Sequence, residues 1–228
     1  MRILFVRHGH PNYEKDCLTD LGHLHAAAAA ERLQHEGIQK IFSSTCGRAL
    51  ETAGYTARKL GLNITEFDFM REIGWGTLTG EPLYRDGHPW DNADRMVLEN
   101  IPLADPDVFE KEPFCRNQTR EYVEMIAKEA DAWLSSLGFD REGHYYRCRG
   151  EKYQTIAAFG HGGASAAMFS HLFNLPFLFV CHSMGIHYTG ITAVTLKNQP
   201  GQLVTPCFEI FNDARHIAGL EIRNVFDR

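Results

Sequence analysis

Ile3-Leu4-Phe5-Val6-Arg7-His8-Gly9 opens as a short apolar run containing β-branched and aromatic residues, and it halts at Gly9 and Pro11. Such a run reads as a buried strand ending in a loop, with Arg7 and His8 at its carboxyl end. Next along the chain, Thr19 is a plausible N-cap, Leu21, Leu24, Ala28 and Leu33 form an apolar stripe, and Gly37 offers a left-handed stop. Together they predict a helix. Ile41-Phe42-Ser43 then reads as a second strand, Ala49, Ala53, Ala57 and Leu60 recur at helical spacing before Gly61, and Asn63 to Phe67 is a third strand. Thr155 to Phe159 is a strand running into Gly160-His161-Gly162-Gly163, with a helix of small residues from Ala164 to Phe173 behind it. Gly190 to Leu196 and Cys207 to Phe211 are the closing strands. Strands alternating with helices predict an α/β fold, a three-layer sandwich with a mainly parallel sheet flanked by helices. Ligands of such sheets bind outside the carboxyl ends of the strands.

The chain has 228 residues, which suits one domain over 1–228. Residues 84–150 break the alternation: they are rich in acidic residues, proline and aromatics, with one clear helix near Thr119 to Leu137, and read as an insertion covering the sheet. The composition, 44% hydrophobic and 23% charged, is that of an ordinary globular protein. A net charge of -6 without any Lys/Arg run argues against a nucleic-acid partner. The apolar stretch Leu172 to Cys181 is interrupted by Asn174 and Pro176 and is too short to cross a bilayer, so no membrane partner is expected. Met1-Arg2 leads straight into the first strand, leaving no room for a cleavable secretion signal, and a cytoplasmic location follows as an expectation. Six scattered cysteines match neither a disulfide framework nor a zinc ribbon. The sequence leaves the oligomeric state, including a homo-oligomer, open.

Four segments at predicted strand ends carry the unusual polar residues: Arg7-His8-Gly9, Ser43-Ser44 with Arg48, Arg71-Glu72, and Gly160-His161-Gly162. A parallel sheet brings such segments to one edge. Two histidines, several arginines and a carboxylate there suit a phosphoryl group, whose spread charge a planar guanidinium holds better than a lysine does. His8 as a neutral imidazole would attack phosphorus, with a backbone carbonyl fixing its tautomer. His161, between glycines, would donate to phosphoryl oxygens. Glu72 would protonate the leaving group and then activate water. Competing readings stand beside these: His8 as a structural histidine, Arg48 as a surface arginine, and Glu72 in a salt bridge with Arg71 or Arg48 while Glu66, Asp68 or Glu81 lies nearby. The pairs His8/His10 and His23/His25 lack the helical spacing of a two-histidine metal motif, so no metal is expected. His182 and His187 read as solvated loop residues or as a pocket rim. Trp75, Tyr84, Trp90 and Phe114 read as substrate pocket or as plain packing.

Arg7-His8-Gly9, Leu18-Thr19 with Gly22, Ser43-Ser44 followed by Arg48-Ala49 and Thr52-Ala53, Glu72 before Gly74 and Gly80, and Gly160-His161-Gly162-Gly163 occur in order over residues 1 to 200. The set resembles the histidine phosphatase superfamily, its phosphoglycerate mutase-like branch. The resemblance implies a phosphoglycerate mutase-like fold and a phosphohistidine mechanism without metal or other cofactor. It implies His8 as nucleophile, Arg7, Arg48 and His161 as the phosphate pocket, and Glu72 as proton donor. Asn12, Ser43 and Gly162 are taken as substrate-binding. Gly162 stands where the acid-phosphatase branch has an aspartate, which favours Glu72 as the donor. After the first His-Gly this chain has His10-Pro11-Asn12-Tyr13 instead of the Glu or Gln common there. The expected activity is hydrolysis of a small phosphorylated metabolite. A phosphoglycerate-type mutase and a catalytically silent phosphate-binding module are the alternatives.

Overall fold

The computed structural model describes residues 1–220. Along the chain run β1 (Arg2–Arg7), β2 (Pro11–Asn12), β3 (Cys17–Leu18), α1 (Asp20–Leu33), β4 (Lys40–Ser44), α2 (Gly47–Leu60), β5 (Ile64–Phe67), α3 (Pro89–Leu98) and α4 (Thr119–Ser136). They are followed by β6 (Phe139–Glu142), β7 (Tyr145–Cys148), β8 (Thr155–Gly160), α5 (Gly162–Phe173), α6 (Phe177–Ser183), β9 (Ile191–Thr195), β10 (Leu203–Val204) and β11 (Cys207–Asp213). Two compact units result. The first comprises Met1–Arg71, Asp131–His161 and the described chain from Ile186 onward, and the second Glu72–Ala130 and Gly162–Gly185.

The first unit holds a six-stranded sheet in the order β11-β9-β1-β8-β4-β5. β1, β8, β4 and β5 are mutually parallel, while β9 runs antiparallel to β1 and the edge strand β11 antiparallel to β9. Alternation along the strands sorts the side chains by face. Leu4, Val6, Ile41, Ala157 and Phe159 form one buried cluster with Leu33 of α1 and Ala53 and Ala57 of α2. On the opposite face Phe5 and Phe42 meet the ring of Trp133, with ring centroids 6.3 and 5.5 Å apart. Helices therefore cover both faces, the predicted three-layer arrangement. The winding explains it. From β1 through α1 to β4 and through α2 to β5 the chain steps one way along the sheet, and it then returns to insert β8 between β1 and β4. Crossovers between parallel strands keep one hand, so reversing the direction of travel moves the helix to the other face.

Local rules account for most boundaries. Thr19 is the N-cap of α1, its Oγ1 accepting from Gly22 N–H, and Gly61 closes α2 in the left-handed conformation. Gly37 is also left-handed but does not end α1, which stops at Leu33. The earlier exit lets Ile38 reach the core cluster and lets Glu36 pair with both Arg2 and Arg32. Residues 84–150, expected as one insertion, are shared between the units, those up to Ala130 in the second and the remainder in the first. They include a helix the sequence reading lacked, α3, and the hairpin β6–β7, whose strands pair from Phe139↔Cys148 to Glu142↔Tyr145.

In the second unit α3 contacts α6 and α5 contacts α6. Phe114 is buried there against Phe109, which stacks on Phe177. Trp75 and Trp90 flank His88, and Tyr84 lies under the guanidinium of Arg95. His182 is a residue of α6 rather than a loop histidine, and its Nε2 lies 2.9 Å from Asp94 of α3. No helix among the described residues is long and apolar enough to cross a membrane.

Candidate active site

β1 and β8 are neighbours with Arg7 opposite Gly160, so the residues that follow, His8 and His161, emerge side by side from the carboxyl end of the sheet. Their ring centroids are 5.1 Å apart. Both rings are buried, at 1% and 0% exposure.

The backbone holds His8 on three sides. Its N–H donates to Gly160 O at 3.0 Å, and Thr189 N–H donates to Arg7 O at 3.1 Å and to His8 O at 3.3 Å. Gly9 N–H donates to Thr52 Oγ1 at 3.0 Å, and Thr52 in turn donates to Arg48 O, which fastens the loop to α2. The glycines permit the approach. A Cβ built on Gly9 would stand 2.6 Å from Gly22 O, and one on Gly22 would overlap His10 O. The paired motifs Arg7-His8-Gly9 and Leu18-Thr19 with Gly22 are thus two halves of one close backbone contact.

His8 Nδ1 lies 2.7 Å from Gly9 O. A carbonyl can only accept, so Nδ1 carries the proton and Nε2 presents a lone pair. Burial pushes the ring's pKa well below the ordinary histidine value, the Arg7 guanidinium adds to this, and the bond to Gly9 only partly opposes it. His161 is shifted the same way, by burial first and then by His8, Arg48 and Arg7. Both imidazoles are neutral near pH 7.

Arg7 donates through Nη1 to Ile186 O at 2.6 Å, and its guanidinium lies 4.5 Å over the ring of Tyr188. Arg48, near the start of α2, pairs with Asp16 and lies 5.4 Å from the ring centre of Tyr13. Asp16 also accepts from Gly47 N–H at 2.8 Å. Burial raises the Asp16 carboxyl, but the Gly47 bond and Arg48 outweigh this and hold it below its usual value. Arg48 is therefore not a surface arginine, and the carboxylate it pairs with is Asp16. Among the described residues, three buried nitrogens in this group lack a hydrogen-bond partner: Arg7 Nε, Arg48 Nε and His161 Nδ1.

The other expected residues make contacts of their own. Ser43 is fully buried and its hydroxyl donates to Ser44 O at 2.9 Å. Asn12 Oδ1 accepts from Lys15 N–H, closing the turn of the Tyr13 loop. Glu72 and Gly162 belong to the second unit. There Glu72 Oε1 accepts from Ile73 N–H at 3.1 Å and from Ala164 N–H at 2.9 Å in the first turn of α5. A Cβ on Gly163 would stand 2.7 Å from that oxygen, so this glycine makes room for the carboxylate.

Several neighbours of His8 escaped the sequence reading. Tyr188 faces His8 and His10, at 5.8 and 5.4 Å, and stacks on His25. Tyr13 stands edge-on to His8 at 6.4 Å. Its place one turn beyond His8 was a usable signal; Tyr188, nearly the whole chain away, had none. His187 is a half-buried loop residue rather than a fully solvated one: its Nδ1 is buried, and burial with Arg7 lowers its pKa. Among the described residues no cluster of three or more His, Cys, Asp or Glu side chains is arranged to hold a metal ion.

The chain is 30% identical over 92 residues to a probable phosphoglycerate mutase, GpmB, of Yersinia pestis (strain Pestoides F), covering 36% of this chain and 43% of that protein. The chain thus spans less than half the length of the curated relatives it matches. Its fold is similar to mycobacterial glucosyl-3-phosphoglycerate phosphatase complexed with VO3, with TM-score 0.62 and 21% identity over 92% of this chain and 98% of that one. It is similar as well to Entamoeba histolytica phosphoserine phosphatase in complex with 3-phosphoglyceric acid, with TM-score 0.64 and 20% identity over 95% and 98%. The sequence profile of branch 1 of the histidine phosphatase superfamily matches residues 3–207, the span from β1 into β11 that carries both histidines and both arginines, and the chain belongs to that superfamily.

Proposed function

We propose that the protein is a phosphomonoesterase that moves the phosphoryl group of a small phosphorylated metabolite first to His8 and then to water. One observation carries this reading. A neutral, buried imidazole presents its lone pair at Nε2 within a group that also holds, among the described residues, three buried nitrogens without a partner: the N–H groups at Arg7 Nε and Arg48 Nε, and His161 Nδ1. Unpaired buried donors are costly, by about 1–3 kcal/mol each, and a protein keeps them where a ligand completes them. A phosphoryl group, with three acceptor oxygens, matches their number and charge.

In the first step Nε2 attacks phosphorus, an N–P bond forms and the ester P–O bond breaks. The departing oxygen takes a proton from Glu72, the residue the family pattern assigns to this task. In the second step Glu72 takes a proton from water as the water oxygen attacks phosphorus. The N–P bond breaks, releasing inorganic phosphate and neutral His8. Arg7, Arg48 and His161 hold the equatorial oxygens in both steps, where charge is greatest. Asn12 and Gly162 are assigned to the edge of the substrate site, and Ser43, whose hydroxyl is spent on the backbone, to supporting the strand end.

The test is hydrolysis of p-nitrophenyl phosphate and a panel of phosphorylated metabolites, with rapid quench for acid-labile, base-stable phosphoenzyme. His8→Ala is expected to abolish both turnover and phosphoenzyme. Full hydrolysis by that variant would overturn the reading. The similarity to a probable phosphoglycerate mutase favours a second reading, in which the phosphoryl group returns to substrate. Isomerised product without free phosphate would establish it in place of hydrolysis.

A further inference from the structure

His8 and His161 are adjacent, buried and neutral, yet the phosphatase reading needs them to present opposite chemistry to one phosphoryl group: a lone pair from the first, an N–H from the second. Gly9 O settles the tautomer of His8. For His161, the ring-nitrogen partner among the described residues is Ser44, whose Oγ lies 2.8 Å from Nε2.

We propose that Ser44 is a positioning residue that sets the tautomer of His161 by donating its hydroxyl hydrogen to Nε2, so that the ring's proton sits on Nδ1. This rests on the reading of the site as a phosphoryl pocket. Ser44 is the last residue of β4, fully buried, where β4 runs beside β8. Its oxygen already accepts from Cys46 N–H at 3.1 Å, at the N-cap of α2. Its single hydrogen then needs an acceptor, and His161 Nε2 is the one acceptor in contact with it among the described residues. The reverse assignment would give the oxygen two N–H donors and strand the hydroxyl hydrogen in a buried place. It would also set a lone pair at Nδ1, the buried nitrogen with no other partner. With Ser44 as donor, every polar hydrogen in the chain Cys46–Ser44–His161 is used except Nδ1–H, which is left for a phosphoryl oxygen. Both rings then carry the proton on Nδ1 and differ in the edge they show: His8 shows bare Nε2, and His161 shows N–H.

The tautomers can be read directly from long-range proton–nitrogen NMR spectra of protein labelled at histidine nitrogens, at pH 7.5, with His161 assigned by its absence in His161→Gln. The wild-type protein is expected to show His161 protonated at Nδ1. Ser44→Ala is expected to shift the His161 resonances toward the Nε2–H form, leave those of His8 in place, and lower kcat on p-nitrophenyl phosphate about ten- to a hundred-fold with little change in KM. Ser44→Thr, which keeps a hydroxyl, restores the Nδ1–H pattern. A wild-type His161 protonated at Nε2, or a folded Ser44→Ala protein with an unchanged His161 tautomer, would overturn the proposal. The wild-type spectrum decides even if the alanine variant fails to fold. The tautomer readout is independent of turnover, so a failure of the phosphatase reading would be seen separately, in the His8→Ala assay.

Discussion

The lowered pKa of His8 has a kinetic consequence at the scale of that one residue. A free histidine loses its lone pair as pH falls through about 6.5, whereas burial and Arg7 keep His8 unprotonated well below that. On the proposed mechanism, kcat/KM corrected for substrate ionisation therefore stays flat as pH drops through 6.5, and its acidic limb lies lower. A pH–rate profile from 4.5 to 8 checks this, and an acidic limb centred at 6.5 would contradict the assignment. Arg48 carries a second prediction. Its guanidinium divides its donors between Asp16 and an open Nε, a fork that lysine cannot reproduce. Arg48→Lys is expected to lower kcat/KM on p-nitrophenyl phosphate by about 10²–10³-fold, the scale of losing one transition-state donor. His8, Arg48 and His161 were legible in the sequence because each directly follows a recognisable strand or opens a helix. Tyr188 was not, because it reaches the ring of His8 only through the antiparallel return that places Thr189 against Arg7.

Between elements, the loop after β1 and the first turn of α1 meet through glycine. Any side chain at position 22 would drive into His10 O, and its neighbours, backbone atoms of His10 and the Cβ of Leu18, have no rotamer to escape into. Gly22→Ala is expected to destabilise by at least about 2 kcal/mol, measured by urea denaturation, and to lower turnover more than the lost stability explains, because the displaced loop carries His8. A Gly22→Ala protein of wild-type stability would show that the contact relaxes freely. Element boundaries were legible where chemistry is local, as with the Thr19 cap and the Gly61 stop. They were illegible where tertiary demands won. α1 ends before Gly37 because Ile38 is needed in the core and Glu36 beside Arg2. The hairpin β6–β7 did have a signal, the two-residue turn Gly143-His144 with Gly143 at positive φ, but it lay inside a segment read as a covering insertion.

Across the whole molecule, the sheet that aligns the strand ends also buries a group of histidines in neutral form, and stability must respond to pH accordingly. His8, His161, His187 and His216 all have pKa values below the ordinary histidine value, each chiefly through burial. Below about pH 6.5 the unfolded chain binds protons at these positions that the folded chain excludes. The slope of unfolding free energy against pH is then positive: their contribution is fully present above 6.5 and is lost as pH falls toward the folded pKa values. Each such group contributes a slope of about 1.4 kcal/mol per pH unit inside its window. Asp16, Glu36 and Asp213 are lowered as well, by hydrogen bonds and arginines that overcome burial at Asp16 and Glu36, and with Asp213 lowered to about 2 chiefly by its hydrogen bond to Arg215. Carboxylates are ionised in both states above about pH 5, so they add their loss only at lower pH. The interval from 6.5 to 5 isolates the histidines. Urea denaturation at half-unit steps across it is expected to show stability falling with pH in the wild-type protein and falling less steeply in a His8→Gln/His161→Gln double variant. Equal slopes in the two proteins would mean that these rings take up protons in the folded state at the ordinary histidine value.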